Sequence, residues 1–216
     1  NGDLNAEMVA SAEAVADIGD GGSNIGIMPG EVLTLRHLLT AMLVSSANES
    51  ANIIAENICA GSANPRQEFI SLMNRRAMEL GALNTHFVNT CGIHDPDHYT
   101  TAKDLAVIAR HAMTLPAFRE TVKTSHYSLP ATNKREAWDA LPVTNRFLNP
   151  FYGGVYKPTD FEITGIKTGF TTPAGSCLVT SAVNDEGEEL LAVVLGVTGR
   201  DQSNDVYACT TQLLEW

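Results

Sequence analysis

The hydrophobic period changes along this chain, and that change constrains the fold more than any other property of the sequence. In the first half, apolar residues recur at helical spacing. Leu35, Leu38, Leu39, Met42 and Leu43 mark one face of a helix over 35–44, and Ala51, Ile54, Ala55 and Ile58 mark a second over 49–59. In the last third, Ser176–Val183 and Leu190–Val197 are short, apolar, β-branched runs, and Asp185-Glu186-Gly187 joins them as a hairpin. Helices first and antiparallel strands later predict an α+β fold with helices packed on a sheet.

Local signals set the remaining boundaries. Met8–Val15 reads as a short strand or a helix start, and 17–30, rich in Gly, Asp and Ser, reads as a loop. Thr34 is the expected N-cap of the first long helix. Gly61–Asn64 ends the second, and Pro65 suits the first turn of a third that stops near Gly81. An extended loop is expected over 85–99. Thr100 or Thr101 then caps a helix over 102–113, and Pro116 opens a short one. Residues 124–161 read as short extended pieces and turns, among them Tyr127-Ser128-Leu129 and the Gly153-Gly154 pair. Ser203 or Asn204 is expected to cap a last helix through Leu214. No internal repeat or low-complexity tract interrupts this order.

At 216 residues the chain is long enough for one globular domain with a substantial core. No apolar run approaches the roughly 18 residues that span a bilayer, and no basic-then-apolar leader opens the chain. The opening Asn1-Gly2-Asp3-Leu4 reads as the middle of a domain, so the lack of a targeting segment says little about location. A net charge of −11 without any basic stripe excludes nucleic acid as a natural partner. Cys59, Cys91, Cys177 and Cys209 have no zinc spacing and are expected to be small buried residues, with one disulfide left open.

The chemistry concentrates at Lys167-Thr168-Gly169, which follows the strand-like Ile163 and Ile166. Lys167 supplies a compact cation for a substrate carboxylate and for proton transfer, and Thr168 adds a hydroxyl. Gly169 removes a side chain so that a substrate can lie along the strand edge. The backbone N–H of Phe170 would then face a developing oxyanion, an effect worth roughly 2.7–4 kcal/mol in studied enzymes. Of three Ser-x-Asn triplets, Ser46-Ala47-Asn48 alone falls at the junction of two apolar helices. Ser50-Ala51-Asn52 lies inside a helix and Ser62-Ala63-Asn64 in a turn. His94-Asp95-Pro96-Asp97-His98 has neither helical nor calcium-loop spacing and reads as a structural loop. No metal or cofactor is expected. Gly21-Gly22 and Gly153-Gly154 lack any phosphate-loop continuation and read as turns.

Taken together, these segments resemble the serine-type D-alanyl-D-alanine carboxypeptidases, the low-molecular-mass penicillin-binding proteins. Leu38 to Asn52 is similar to the family's Ser-x-Asn region, Asn84 to Leu105 to its loop and following helix, and Gly165 to Val179 to its Lys-Thr-Gly strand pair. The resemblance implies a DD-peptidase/β-lactamase-like fold, an antiparallel sheet flanked by helices with an all-helical lobe. As one catalytic domain over 1–216, it would place the lobe at about 31–123 and the sheet and last helix at about 124–216. It implies attack of a serine on the terminal D-Ala-D-Ala bond of a peptidoglycan pentapeptide, trapping by β-lactams, and an exported, membrane-associated parent in the cell envelope. Carried over by residue, Ser46 relays protons, Asn48 holds the substrate amide, Lys167 and Thr168 bind the carboxylate, and Phe170 donates to the oxyanion. Arg200 lies in the stretch where some relatives carry a further carboxylate-binding arginine.

One departure is large. No Ser in the chain is followed three residues later by Lys, so the family's nucleophile and its partner are absent from these residues. The expectation is therefore an N-terminally truncated domain, nearly inert as it stands, since removing the nucleophile of subtilisin costs about 10⁶ in turnover. Two rivals are carried. A non-catalytic peptidoglycan-binding module would keep the cleft without the serine. A class A β-lactamase is disfavoured by Ala47, where that class has Asp, and by the lack of a counterpart to its deacylating Glu.

Overall fold

The computed structural model describes residues 2–152 and 158–216, so the Gly153-Gly154 turn lies outside the described residues. The chain forms two compact units that alternate along the sequence. One contains the residues up to Arg76, His86–His98 and His126–Pro142. The other contains Ala77–Thr85, Tyr99–Ser125 and Val143–Trp216.

In the first unit, Glu7–Val9 (β1) pairs antiparallel with Val32–Thr34 (β2), placing Met8 opposite Leu33. Ala12–Ala16 (α1) follows β1, capped by Ser11, whose Oγ accepts from the Ala14 N–H at 2.9 Å. Met8–Val15 is thus both of the structures its sequence offered, a strand and then a helix. Leu35–Ser45 (α2) starts at the expected cap, with Thr34 Oγ1 accepting from the His37 N–H. Asn48–Ile58 (α3) begins one residue earlier than its apolar period indicated, and packs on α1 and α2. Leu33, Leu38, Ile53, Ile54 and Leu129 close the core. Pro65–Leu80 (α4) follows, with its proline in the first turn as expected.

Residues 126–142 belong to this unit, not with the sheet as the division near residue 124 had it. The reason is specific pairing. Asn133 donates to Gly30 O and accepts from the Val32 N–H, Ser45 Oγ donates to Pro142 O, and fully buried Glu31 takes hydrogen bonds from Thr132 and the Met28 N–H. Tyr127-Ser128-Leu129 forms a single antiparallel bridge, Leu129 to Trp138, and no longer strand.

The second unit is built on a three-stranded antiparallel sheet in the order β3–β4–β5, formed by Phe161–Thr171 (β3), Gly175–Asn184 (β4) and Glu189–Val197 (β5). The Asp185-Glu186-Gly187 hairpin joins the last two as read. Ala102–Ala112 (α5) packs on β5, Pro116–Val122 (α6) on β3, and Gln202–Leu214 (α7) on β4 and β5. Helices α5 and α6, expected in the helical lobe, therefore belong with the sheet. Leu178 and Ala182 of central β4 meet Phe147, Val206 and Tyr207, the last edge-on to Phe147 at 4.9 Å. Thr101 caps α5 through the Asp104 N–H.

Two expectations change. The last helix begins at Gln202, with Asp201 at its N-cap position and without a side-chain capping bond, so the cap falls before Ser203 and Asn204. Asn204 Nδ2 donates to both oxygens of the Asp201 carboxylate, at 2.7 and 2.8 Å, and its Oδ1 accepts from Arg146, so Asn204 holds the first turn from inside it. The four cysteines are all free thiols, and only Cys59 is buried; Cys91 and Cys177 are partly covered and Cys209 is exposed. Among the described residues, no helix is long and apolar enough to cross a membrane.

Candidate active site

In the first unit, α2 turns into α3 within two residues, Ser46 and Ala47. Ser46 caps the C-terminus of α2 in the left-handed conformation, φ 59° and ψ 31°, and among the described residues it is the one non-glycine at positive φ. The Ser46 N–H and, at 3.2 Å, the Ala47 N–H both return to Ala41 O and close the end of α2, as at caps where glycine usually takes the left-handed position. A serine there costs roughly 1–2 kcal/mol, and strain of this kind gathers where a side chain must be aimed. Ser46 does not serve as the N-cap of α3; Ala47 occupies that position without a side-chain bond. Asn48 is the first helical residue of α3, and its Nδ2 donates to Ile18 O at 2.9 Å.

In the second unit, the Lys-Thr-Gly run lies on β3, an outer strand of the sheet. A bulge between Ile163 and Gly165 re-registers β3 just before it, and Thr164 Oγ1 meets Ser181 Oγ at 2.8 Å there. Gly165 has φ +150°, and a Cβ on it would fall 2.8 Å from Val122 Cγ2 of α6, so the bulge requires glycine. Lys167 Nζ donates to Thr168 O at 2.8 Å. Burial pushes its ammonium down to about 8. Lys167 as a whole residue is half-buried. Thr168 Oγ1 donates to Thr144 Oγ1 at 3.0 Å. Gly169 and Phe170 are exposed. A Cβ on Gly169 would meet nothing nearer than Cys177 Cβ at 3.8 Å, an ordinary contact, so packing does not demand glycine at that position.

The structure thus gathers Ser46 and Asn48 at one corner of the first unit, and Lys167 to Phe170 on one strand of the second. Arg200 is exposed just beyond β5. His94–His98 lies in an irregular loop in which His98 Nδ1 accepts from the Val88 N–H at 3.3 Å, and burial pushes the His98 imidazole below its ordinary value. Among the described residues no three ligating side chains converge as a metal site would need.

Two side chains at the corner escaped the sequence reading. Asn52, set aside as a helix residue, is buried; its Nδ2 donates to Ala14 O and Asp17 O, and its Oδ1 accepts from Thr90 Oγ1. Glu49 is buried at 1% exposure and serves the loop at 25–27. The available signal was an acid and an amide at i+1 and i+4 from Asn48, polar residues on a helix face otherwise given to Ile and Ala.

The family model described as D-alanyl-D-alanine carboxypeptidase (Peptidase_S11) matches residues 4–199. A protein named D-alanyl-D-alanine carboxypeptidase DacF, from Bacillus subtilis, is 32% identical over 210 residues, covering 97% of this chain and 49% of its own length. A D-alanyl-D-alanine carboxypeptidase of Streptomyces sp. K15 is 32% identical over 181 residues, covering 82% of this chain and 59% of its own. The chain thus spans about half the length of the curated relatives it matches. Among solved structures, the Streptomyces K15 DD-transpeptidase superposes with a TM-score of 0.84 at 28% identity, over 99% of this chain and 79% of that one. The carboxypeptidase DacD of Francisella tularensis gives 0.80 at 26% identity, over 98% and 58%. The α+β fold is that of the DD-peptidases.

Proposed function

For this chain, which belongs to the D-alanyl-D-alanine carboxypeptidase family, we propose the substrate-holding and proton-relaying part of a serine hydrolase. The parent protein removes the terminal D-Ala from peptidoglycan stem pentapeptides, outside the cytoplasmic membrane. A serine oxygen attacks the penultimate D-Ala carbonyl, and the C–N bond to the terminal D-Ala breaks as its nitrogen takes a proton. Water then hydrolyses the resulting ester and restores the serine. β-Lactams acylate the same serine and leave slowly.

The roles follow the chemistry of each group. Lys167 and Thr168 hold the terminal carboxylate, the cation supplying charge and the hydroxyl direction. Ser46 relays the proton to the leaving nitrogen, Asn48 holds the substrate amide, and the Phe170 N–H stabilises the oxyanion. The observation that carries this reading is β3 itself. It is an outer strand bearing a cation withdrawn from water, then a hydroxyl, then a glycine that packing does not require. An extended peptide can lie along such an edge.

No Ser-x-x-Lys occurs in the 216 residues, so the proposal places the nucleophile in encoded sequence outside them and makes these residues alone inert. The second reading, a non-catalytic peptidoglycan binder, keeps the same carboxylate site with no such motif anywhere in the gene. To test the first, D-Ala release from an acyl-D-Ala-D-Ala peptide is assayed with the gene product carrying Ser-x-x-Lys. The free carboxylate should be required, and Thr168→Val should raise KM more than it lowers kcat. Equal cleavage of the C-terminally amidated peptide would sink the assignment of Lys167 and Thr168.

A further inference from the structure

Asn48 and Glu49 stand side by side at the start of α3 and engage the same irregular stretch, 17–30. The Asn48 backbone N–H donates to Ser23 O at 2.9 Å, and its Nδ2 donates to Ile18 O at 2.9 Å. The arm 18–23 therefore fixes the side-chain amide of Asn48. Contact is so close that a Cβ on Gly22 would lie 1.9 Å from Ile18 O and 2.8 Å from Asn48 Nδ2. Yet the 17–30 stretch that contains this arm has five glycines and no regular structure, so it has little stiffness of its own.

Asn52 Nδ2 holds Asp17 O where the stretch begins, and beyond the arm the stretch is held by the side chain next to Asn48. Glu49 Oε1 accepts from three successive backbone N–H groups, Ile25 at 2.8 Å, Gly26 at 3.2 Å and Ile27 at a long 3.5 Å. Three amides turned toward one anion form a nest. Among the described residues its other oxygen, Oε2, is buried with no hydrogen-bond partner, so the hydrogen bonds described for this carboxylate all go to the loop. From the far side, Arg135 donates to Gly26 O and pairs with buried Glu31. We infer that Glu49 is a positioning residue, which sets the Asn48 side-chain amide in place by fixing the loop that grips it. Its catalytic consequence rests on the proposed role of Asn48; the positioning itself rests on the contacts above.

The test separates the two. The side-chain amide signal of Asn48 in the ¹⁵N-labelled chain, identified by its loss in Asn48→Asp, is followed in Glu49→Ala, Glu49→Gln and Asn57→Ala. Asn57 bonds both the N–H and the carbonyl of Val9, in the same unit but away from the loop, and so controls for general loosening. Glu49→Ala should move the Asn48 signal to the free-amide position and speed its hydrogen exchange by at least about tenfold. Glu49→Gln, which keeps an accepting oxygen, and Asn57→Ala should leave the signal in place. An unmoved signal in folded Glu49→Ala, or an equal shift in Asn57→Ala, overturns the inference. If Glu49→Ala does not fold, Glu49→Asp, whose shorter stem withdraws the oxygen from the loop, is read the same way. In the gene product bearing the nucleophile, penicillin acylation should fall about tenfold or more in Glu49→Ala relative to Asn57→Ala. A moved signal with unchanged acylation would refute the role of Asn48 and leave the positioning intact.

Discussion

Lys167→Met should stabilise the protein while removing its proposed carboxylate site. Burial lowers the Lys167 ammonium to about 8 from an ordinary 10.5, so folding works against its proton by up to about 3 kcal/mol. The residue as a whole is only half-buried, and methionine gives up the bond to Thr168 O, so a gain of about 2 kcal/mol is expected near neutral pH. The sign of the pH dependence follows. Below pH 8 both folded and unfolded chains hold the proton, and the cost is present in full. Between about 8 and 10.5 the folded chain has shed a proton that the unfolded chain keeps, so wild-type stability rises with pH; above 10.5 the cost is gone. Urea unfolding of both proteins across this range isolates Lys167, because every other titrating group is shared. The variant should lead by about 2 kcal/mol near pH 7, and the gap should close toward pH 10.5. A variant no more stable than wild type at neutral pH, or a gap that does not narrow, would refute the reasoning.

Three further outcomes are expected. Under native conditions Cys209 should alkylate first and Cys59 last, because burial and the nearby Glu68 push the Cys59 thiol up; mass mapping in which Cys59 reacts as fast as Cys209 would contradict the packing described. The 86–98 loop should become more sensitive to proteolysis as pH falls below 6.5, since folding holds the His98 imidazole below that value and protonation takes away the acceptor of the Val88 N–H. His98→Gln should lose this acid sensitivity; a loop equally protected at pH 5 and pH 7 in wild type would count against it. Phe147→Ala should cost about 3–5 kcal/mol in denaturant unfolding, given a ring 1% exposed and packed on Tyr207; a loss under 1 kcal/mol would mean the core is not as described.

The sequence was legible wherever a local rule acted without competition. Thr34 and Thr101 cap the helices they were expected to cap, because a hydroxyl before an apolar period has few other uses. The β4–β5 hairpin followed from two β-branched runs around Asp-Glu-Gly. What it could not supply was long-range pairing. Residues 126–142 join the first unit through Asn133, Thr132 and Pro142, whose partners lie about a hundred residues away and leave no periodic trace. The helix start at Gln202 was missed because Asp201, Ser203 and Asn204 are all residue types that cap helices, and their local sequence does not rank them; in the fold Asn204 lies inside the first turn, bonded back to Asp201. At the candidate site, motif spacing named Asn48 and Lys167. It could not show that Ser46 takes a left-handed conformation, or that Glu49 and Asn52 turn inward. A buried carboxylate is recognised only when the amides that receive it are seen, and those of Ile25 to Ile27 belong to a loop whose sequence shows only glycine and polarity.

The most direct measurement is intact mass after benzylpenicillin treatment, on these 216 residues and on the same chain extended upstream through about 60 encoded residues. The account predicts no adduct on the 216 residues. It predicts one stable penicilloyl adduct on the longer chain, lost when the serine of its Ser-x-x-Lys is changed to Ala. A folded longer protein that takes up no penicillin, or an adduct on the 216 residues alone, would contradict it.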